Sequence, residues 1–389
     1  MSVPTLLLAP ALPSPASRHA VDAILGGLGR LGLAAAAFAV GLRPALPGEL
    51  TLDSWAMRLE TLAALLDRAG DGADIVLGHG RQALFDGAAD GSGSIADLAA
   101  LFGLPVVLHA DATLLGHSVV ALVDGHLRHR EDVQVAAVVL TGVADAAQAR
   151  HLVAACDSCF STPVLGCITA DAAPALDLAR LPRLARHPGV TPLQSVARPL
   201  PPLGQRIAVA AGPGFEAALK PVLDGWRAQG AELRSFSPTA GDPVPADADA
   251  VYLPPGELAA PVLGVTLRAG LAAAAGRGAF VYGEGSGYLL LGRSLIVADM
   301  PHEAAGLLPI HAALTAPLPR PVYRRATLLE SCPLGGAGAA FRGHVPNPAV
   351  IEDGGVPQLF DLGPHGLSGG RLGNVAGSPV QLVDRARPA

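Results

Sequence analysis

The chain has 389 residues, 50% of them hydrophobic and 15% charged, which supplies cores for two ordinary domains and excludes wholesale disorder. Its formal net charge of −6 leaves no basic footprint for nucleic acid, and Lys220 is the only lysine. No apolar run approaches the roughly 18–20 residues of a membrane span, so neither nucleic acid nor membrane is expected as a partner.

The opening MSVPTLLLAPALPSPAS has the apolar run and small residues of a secretory leader. It lacks a basic start and the run is short, so Thr5 to Ala9 reads as a first buried strand and the protein as cytoplasmic. A loop and an amphipathic helix, Val21 to Leu31, follow. Strand, loop and helix in this order is where a phosphate-binding loop belongs. Ser14 and Ser17 offer hydroxyls there, but Pro13 and Pro15 have no N–H to donate.

Ala34 to Val40 is the next strand, followed by GLRPALPG and TLDSWAM, which carries Asp53 and Trp55. Ala73 to Leu77 is a third strand, and His79, Asp86 and Ser94 lie in the segment after it. Pro105 to His109 runs into ADATLLGHSVVALV, which holds Asp111 and His117. Strands Val135 to Leu140 and Val164 to Asp171 come next, then LPRLARHPGVTP with Arg186 and His187. This alternation predicts a doubly wound, mostly parallel sheet with helices on both faces. His79, His109 and His117, with Asp111, come from strand ends or the loops after them, where such a sheet places its ligands, and they are the candidate metal set. Cys156 and Cys159 form a CxxC late in a helical run with no second pair at zinc spacing, and are expected to pack as small hydrophobes.

Leu193 to Gln205 is proline-rich and weakly periodic, and it divides a domain over 1–192 from one over 206–389. The second half opens with strand Arg206 to Ala211, helix Glu216 to Gly230 and strand Ala231 to Ser237. DADAVYLPPGEL and a helix from Ala260 to Gly276 lead to AFVYGEGSGYLLLG, Ala279 to Gly292. That stretch reads as a strand, a glycine-relaxed turn and a helix start at Tyr288, the geometry of a nucleophile elbow. The nucleophile position holds Gly285. Ser286, one residue on, occupies the place whose backbone N–H serves an oxyanion hole while its side chain points elsewhere.

These motifs, in this order, resemble the cobyrinic (or hydrogenobyrinic) acid a,c-diamide synthase family from about Pro4 to Asp384. The elbow is similar to the family run VYAECGGLMYLG, matching at Val281, Tyr282, Glu284, Gly287 and Gly292, with the Cys on Gly285. TLDSWAM resembles NLDPWLM, and the segment after the third strand resembles VEGVMGLFDG followed by GSTAELA. The resemblance implies a P-loop-type amidoligase domain followed by a class I glutamine amidotransferase-like α/β domain. It also implies ATP and Mg²⁺ as cofactors and a tetrapyrrole acid as substrate.

The departures are equally specific. Against the family loop APxSGSGKTT, both glycines fall on proline and the lysine on Ala16. The metal-binding glutamate falls on His79, two aspartates on Arg43 and Leu46, and the adenine-reading Asn on Thr141. In the second half Pro255 stands for an oxyanion-hole glycine, Asn347 for a His, and Gln381 for the catalytic His. The expectation is therefore a relative without catalytic residues, in which ATP and Mg²⁺ are not bound. Ser14, Ser17, Asp86 and Asp111 remain as a remnant nucleotide cleft, and Asp53, Trp55, Ser94, Arg186 and His187 as a remnant substrate cleft. Such a protein would bind a tetrapyrrole or corrinoid, or pair with itself or with an intact homologue. The alternatives are ATP-dependent amidation with ammonia, and a metal-dependent activity in the old nucleotide cleft.

Overall fold

The structure is a computed structural model and describes residues 3–41, 49–169, 175–189, 198–258, 264–316 and 322–386. Arg43, Leu46 and Asp171, and the part of the proposed linker before residue 198, lie outside the described residues. The chain divides into two compact units, Met1–Trp55 with Leu62–Ser195, and Ala56–Thr61 with Val196–Ala389.

The first unit is built on an eight-stranded sheet. In chain order its strands are β1 (Thr5–Pro10), β2 (Ala35–Val40), β3 (Thr51–Leu52), β4 (Ile75–Gly80), β5 (Val106–Asp111), β6 (Val135–Val143), β7 (Val164–Thr169) and β8 (Ala175–Leu176). The order across the sheet is β3-β2-β4-β1-β5-β6-β7-β8, parallel throughout except for the last pair. β1 is buried along its whole length, as a parallel strand covered on both faces must be. The helix after it, α1 (Ser17–Arg30), buries Ala20, Val21, Ile24 and Leu28, an i, i+1, i+4, i+8 stripe on one face. It begins four residues before the expected start at Val21, immediately beyond the last proline of the loop. β4 and β5 also run further than expected, so His79 and Asp111 belong to strands, as His109 was expected to.

The second unit has a six-stranded sheet. Its strands are β9 (Arg206–Ala210), β10 (Glu232–Phe236), β11 (Ala250–Leu253), β12 (Phe280–Glu284), β13 (Gly370–Leu372) and β14 (Val375–Ser378), in the order β10-β9-β11-β12-β14-β13. All pairings are parallel except the β13 edge. Residues 294–385 add two smaller sheets, of four and five strands, that the sequence reading did not anticipate. Where it is described, the expected linker is packed: Leu200 and Leu203 are buried, and Gln229 Nε2 donates to Leu200 O at 2.8 Å. That segment is packed structure, because its leucines have apolar surface to cover.

Candidate functional site

The elbow forms as the sequence predicts. β12 ends at Glu284, Gly285 takes φ 53° and ψ −125°, and a short helix runs over Ser286–Leu289. A left-handed φ with this ψ is strained for any residue with a Cβ, and glycine adopts it without that strain. What surrounds Gly285 was not expected. A Cβ built there would lie 2.8 Å from Pro346 Cγ, 2.9 Å from Asn347 Oδ1 and 3.0 Å from Pro255 Cβ. The space a nucleophile would occupy is filled by three side chains.

The hydrogen bonds at the turn are filled as well. The Ser286 N–H donates to Asn347 Oδ1 at 3.1 Å, and Asn347 Nδ2 donates to Gly256 O at 3.2 Å. The Ser286 hydroxyl accepts from Gly256 N–H at 2.9 Å and donates to Gly256 O at 3.0 Å. Ser286 is fully buried and is a structural clasp. The Asn347 carboxamide thus takes up the N–H that an elbow offers to an oxyanion.

Gln381 is also committed to structure. His344 Nε2 donates to Gln381 Oε1 at 2.9 Å, and Gln381 Nε2 donates to Ala217 O at 2.7 Å. Beside it, Glu284 is buried and accepts from Tyr252 Oη at 2.7 Å, Leu382 N at 3.1 Å and Tyr282 Oη at 3.2 Å. Burial raises the Glu284 carboxyl to about 7 despite these three donors. Sequence reasoning matched Glu284 to the elbow pattern but missed this network. Two of its three partners are 32 and 98 residues away, and the visible signal was only a Tyr on each of two adjacent strands.

In the first unit the loop after β1 meets the ends of β4 and β5. Ser14 Oγ donates to Asp111 Oδ2 and also accepts from Ala16 N–H at 3.1 Å. Asp111 accepts from the Thr113 hydroxyl at 2.6 Å and the Thr113 N–H at 2.9 Å. Burial pushes its carboxyl up, but these donors and the neighbouring His109 together bring it below the usual range. The Ser17 N–H is taken by Ser14 O at 3.2 Å. The loop therefore presents two prolines and two amides already engaged, which does not fit the amide cradle a polyphosphate requires. The Ser17 hydroxyl is the exception: it is buried and has no hydrogen-bond partner among the described residues.

The candidate metal ligands do not converge. His79 pairs with Glu49 at 2.6 Å, His109 Nε2 meets Thr141 Oγ1 at 2.6 Å, and the His117 ring packs 5.8 Å from that of His151. Burial pushes His109 down to about 4, against the pull of Asp111, so its imidazole is neutral at pH 7. Among the described residues no group of three His, Cys, Asp or Glu could hold a metal ion. Strand ends place ligands near one edge of a sheet, but each of these side chains is turned into a separate pair.

The remaining candidates divide. Ser94 caps the helix Ile95–Phe102: its hydroxyl accepts from Asp97 N–H at 3.1 Å, and Asp97 Oδ2 accepts from Ser94 N–H at 3.0 Å. Arg186 Nη1 donates to the carbonyls of Arg183, Leu184 and Ala185, and its backbone bridges to Thr5. Asp53 is buried and accepts from Trp55 N–H at 3.0 Å. Asp86 is half-buried in the turn after β4, and His187 is exposed. Cys156 is buried, with its thiol pushed up to about 11 chiefly by burial, while Cys159 is exposed. No helix among the described residues is long and apolar enough to cross a membrane.

No family profile matches the chain. Curated relatives do. A hydrogenobyrinate a,c-diamide synthase from Rhizobium meliloti is 37% identical over 373 residues, covering 85% of this chain and 86% of that protein. Proteins of the same name from Brucella anthropi and Agrobacterium fabrum are 35% and 33% identical, over 86% and 88% of this chain and 85% and 86% of their own lengths. Among solved structures, a glutamine amidotransferase from Thermotoga maritima shares 12% identity at TM-score 0.34, over 45% of this chain and 75% of that one, too slight a likeness to carry an argument.

Proposed function

This chain belongs to the hydrogenobyrinate a,c-diamide synthase family, and from that premise we propose that it is a non-catalytic member that binds a tetrapyrrole or corrinoid acid. The observation that carries the reading is the closed elbow. Gly285 supplies no nucleophile, Pro255, Pro346 and Asn347 fill its side-chain space, and Asn347 takes the Ser286 N–H. Gln381, at the position of the catalytic base, is an amide and cannot accept a proton from a thiol at neutral pH.

The first unit supports the same reading from independent residues. A loop with Pro13 and Pro15 and no lysine lacks the charge and amides that activate a carboxylate through phosphoryl transfer. His79, held by Glu49, stands where a carboxylate would hold Mg²⁺. Two chemistries that depend on different residues are compromised in one chain, while the sheets that carried them persist.

Calorimetric titration tests this directly. The full chain is expected to bind a cobyrinic- or hydrogenobyrinic-acid-type ligand and not ATP–Mg²⁺, and to release no glutamate from glutamine. ATP-dependent amidation of the tetrapyrrole with ammonia would overturn the proposal. Absence of tetrapyrrole binding would remove its ligand and leave a partner chain of this family as the remaining role, tested by the mass of the protein in solution.

A further inference from the structure

The helix Ser118–His129, which follows β5, carries His126, Arg128 and His129 in its last turn. His126 has both ring nitrogens against backbone carbonyls: Nδ1 lies 2.8 Å from Leu122 O, and Nε2 lies 3.1 Å from Ala11 O. We propose that His126 is a proton-operated latch, which as an imidazolium ties the end of this helix to the residue that follows β1, and as a neutral ring loosens that tie. It does not depend on the proposed function.

Three observations carry it. The first is the chemistry of the two contacts, both at hydrogen-bond distance. A carbonyl oxygen only accepts, so each nitrogen must donate, and a neutral imidazole has one N–H. Neutral His126 therefore makes one bond and sets a lone pair against the other oxygen, whichever tautomer it adopts. The second is Phe85, whose ring stacks on His126 with centroids 5.4 Å apart and planes at 27°, within the range at which an aromatic face attracts a cation. The third is position. His126 stands in the last turn of a 12-residue helix, where the terminal carbonyls favour a positive charge.

The two carbonyls are not equivalent. Leu122 O stands four residues before His126, where the helix ladder already supplies an N–H. Ala11 is 1% exposed, and among the described residues no backbone N–H is bonded to its oxygen. A neutral ring that keeps Ala11 O sets its Nδ1 lone pair 2.8 Å from Leu122 O, and moving away from that oxygen strains the Ala11 bond. Ala11 opens the loop that Ser14 ties to Asp111, so the latch acts on the root of that loop. The surrounding charges are balanced. On the same helix Asp124 pairs with Arg128 at 2.9 Å, and Arg130, just beyond, pairs with Asp97 and Asp132 at 2.6 Å. The His129 ring packs 4.5 Å from that of Phe85, and Asp86 adjoins Phe85 in sequence. From Ala11 onward the loop brings no titratable side chain before Arg18.

The test is amide hydrogen exchange of the full chain, read by mass spectrometry on the segment around Ala11 at about pH 5 and about pH 8, either side of the imidazole range, with intrinsic rates divided out. Wild type is expected to protect this segment about fivefold more at the lower pH, the gap between a charge-assisted and a neutral hydrogen bond. His126→Gln, a neutral donor at every pH, is expected to abolish that dependence, and His129→Gln to keep it. Equal pH dependence in wild type and His126→Gln overturns the inference, and so does its loss in His129→Gln alone. Nitrogen NMR of histidine-labelled wild type, with the His126 ring assigned through its contact with Phe85, decides the matter without a variant. Both ring nitrogens protonated at the lower pH, with protection lost as one proton leaves, supports the latch. A His126 ring that stays neutral at about pH 5, or protection that does not follow its titration, overturns it.

Discussion

Placing a methyl group on Gly285 tests whether the elbow is closed. An alanine there would carry a non-glycine residue at φ 53°, ψ −125°, a strain of about 1–3 kcal/mol. Its Cβ would meet three atoms at 2.8–3.0 Å, where ordinary carbon contacts are about 3.5–4.0 Å. Overpacking of this kind costs typically about 1–3 kcal/mol. The sum, about 2–6 kcal/mol, corresponds to a fall of roughly 5–20 °C in the melting of the second unit, at about 2–4 °C per kcal/mol. Gly278 is the control, because it has φ +87° and nothing within 4 Å of an added Cβ. Gly278→Ala carries the backbone strain alone, and the gap between the two variants reads the packing. The assay is differential scanning calorimetry of the full chain. Gly285→Ala melting with wild type, or no lower than Gly278→Ala, would refute the closed elbow. So would glutamate release by Gly285→Cys combined with Gln381→His, because Asn347 still holds the Ser286 N–H in that variant.

Three further outcomes follow from buried polar groups. Glu284 has a folded value of about 7 against an ordinary 4.5, so folding favours its protonated form. Its contribution is complete below about pH 4.5 and is lost as pH rises to about 7, amounting to about 3 kcal/mol. The urea midpoint of wild type minus that of Glu284→Gln should fall across that window, and a flat difference would contradict it. Asp384 is fully buried and accepts from Thr61 Oγ1 at 2.6 Å and from Arg58 N and Nε at 2.9 and 3.0 Å, yet burial still raises its carboxyl above the usual range. Asp384→Ala, which orphans Thr61 and Arg58, should cost about 2–4 kcal/mol, and Asp384→Asn, which keeps one acceptor oxygen for these donors, should cost less. Equal urea midpoints for these two variants would refute that account. Ser94→Ala should destabilise the first unit by about 1 kcal/mol through loss of the capping box and leave tetrapyrrole affinity unchanged, and a change in affinity alone would return Ser94 to the ligand cleft.

The fold was legible because its signals are local. TLLLAP is apolar throughout and could only be a covered strand, and the glycines around Glu284 marked the turn between a strand and a helix. The site was legible only as departures from a pattern. Pro255, Asn347 and Gln381 were each visible as changed residues, but not that the first two converge on Gly285 from 30 and 62 positions away. The same limit holds for the histidines. Their sequence positions placed them at strand ends, and nothing local announced Glu49 or Thr141 as partners. Length composed the rest: the small sheets after Gly292 come from short strands in glycine- and proline-rich sequence, where periodicity is weak.

The persistence of the elbow without a nucleophile has a physical account in Glu284. That carboxyl ties Tyr252 on β11, Tyr282 on β12 and the Leu382 amide together at the foot of the turn. Breaking the turn would leave these buried polar groups unsatisfied, at about 1–3 kcal/mol each. The elbow is therefore held by its supports and not by its chemistry. With glycine at 285 the same backbone carries none of the strain that a cysteine would impose there. Glycine at 285, with Pro346 and Asn347 packed against it, leaves this turn relaxed and closed.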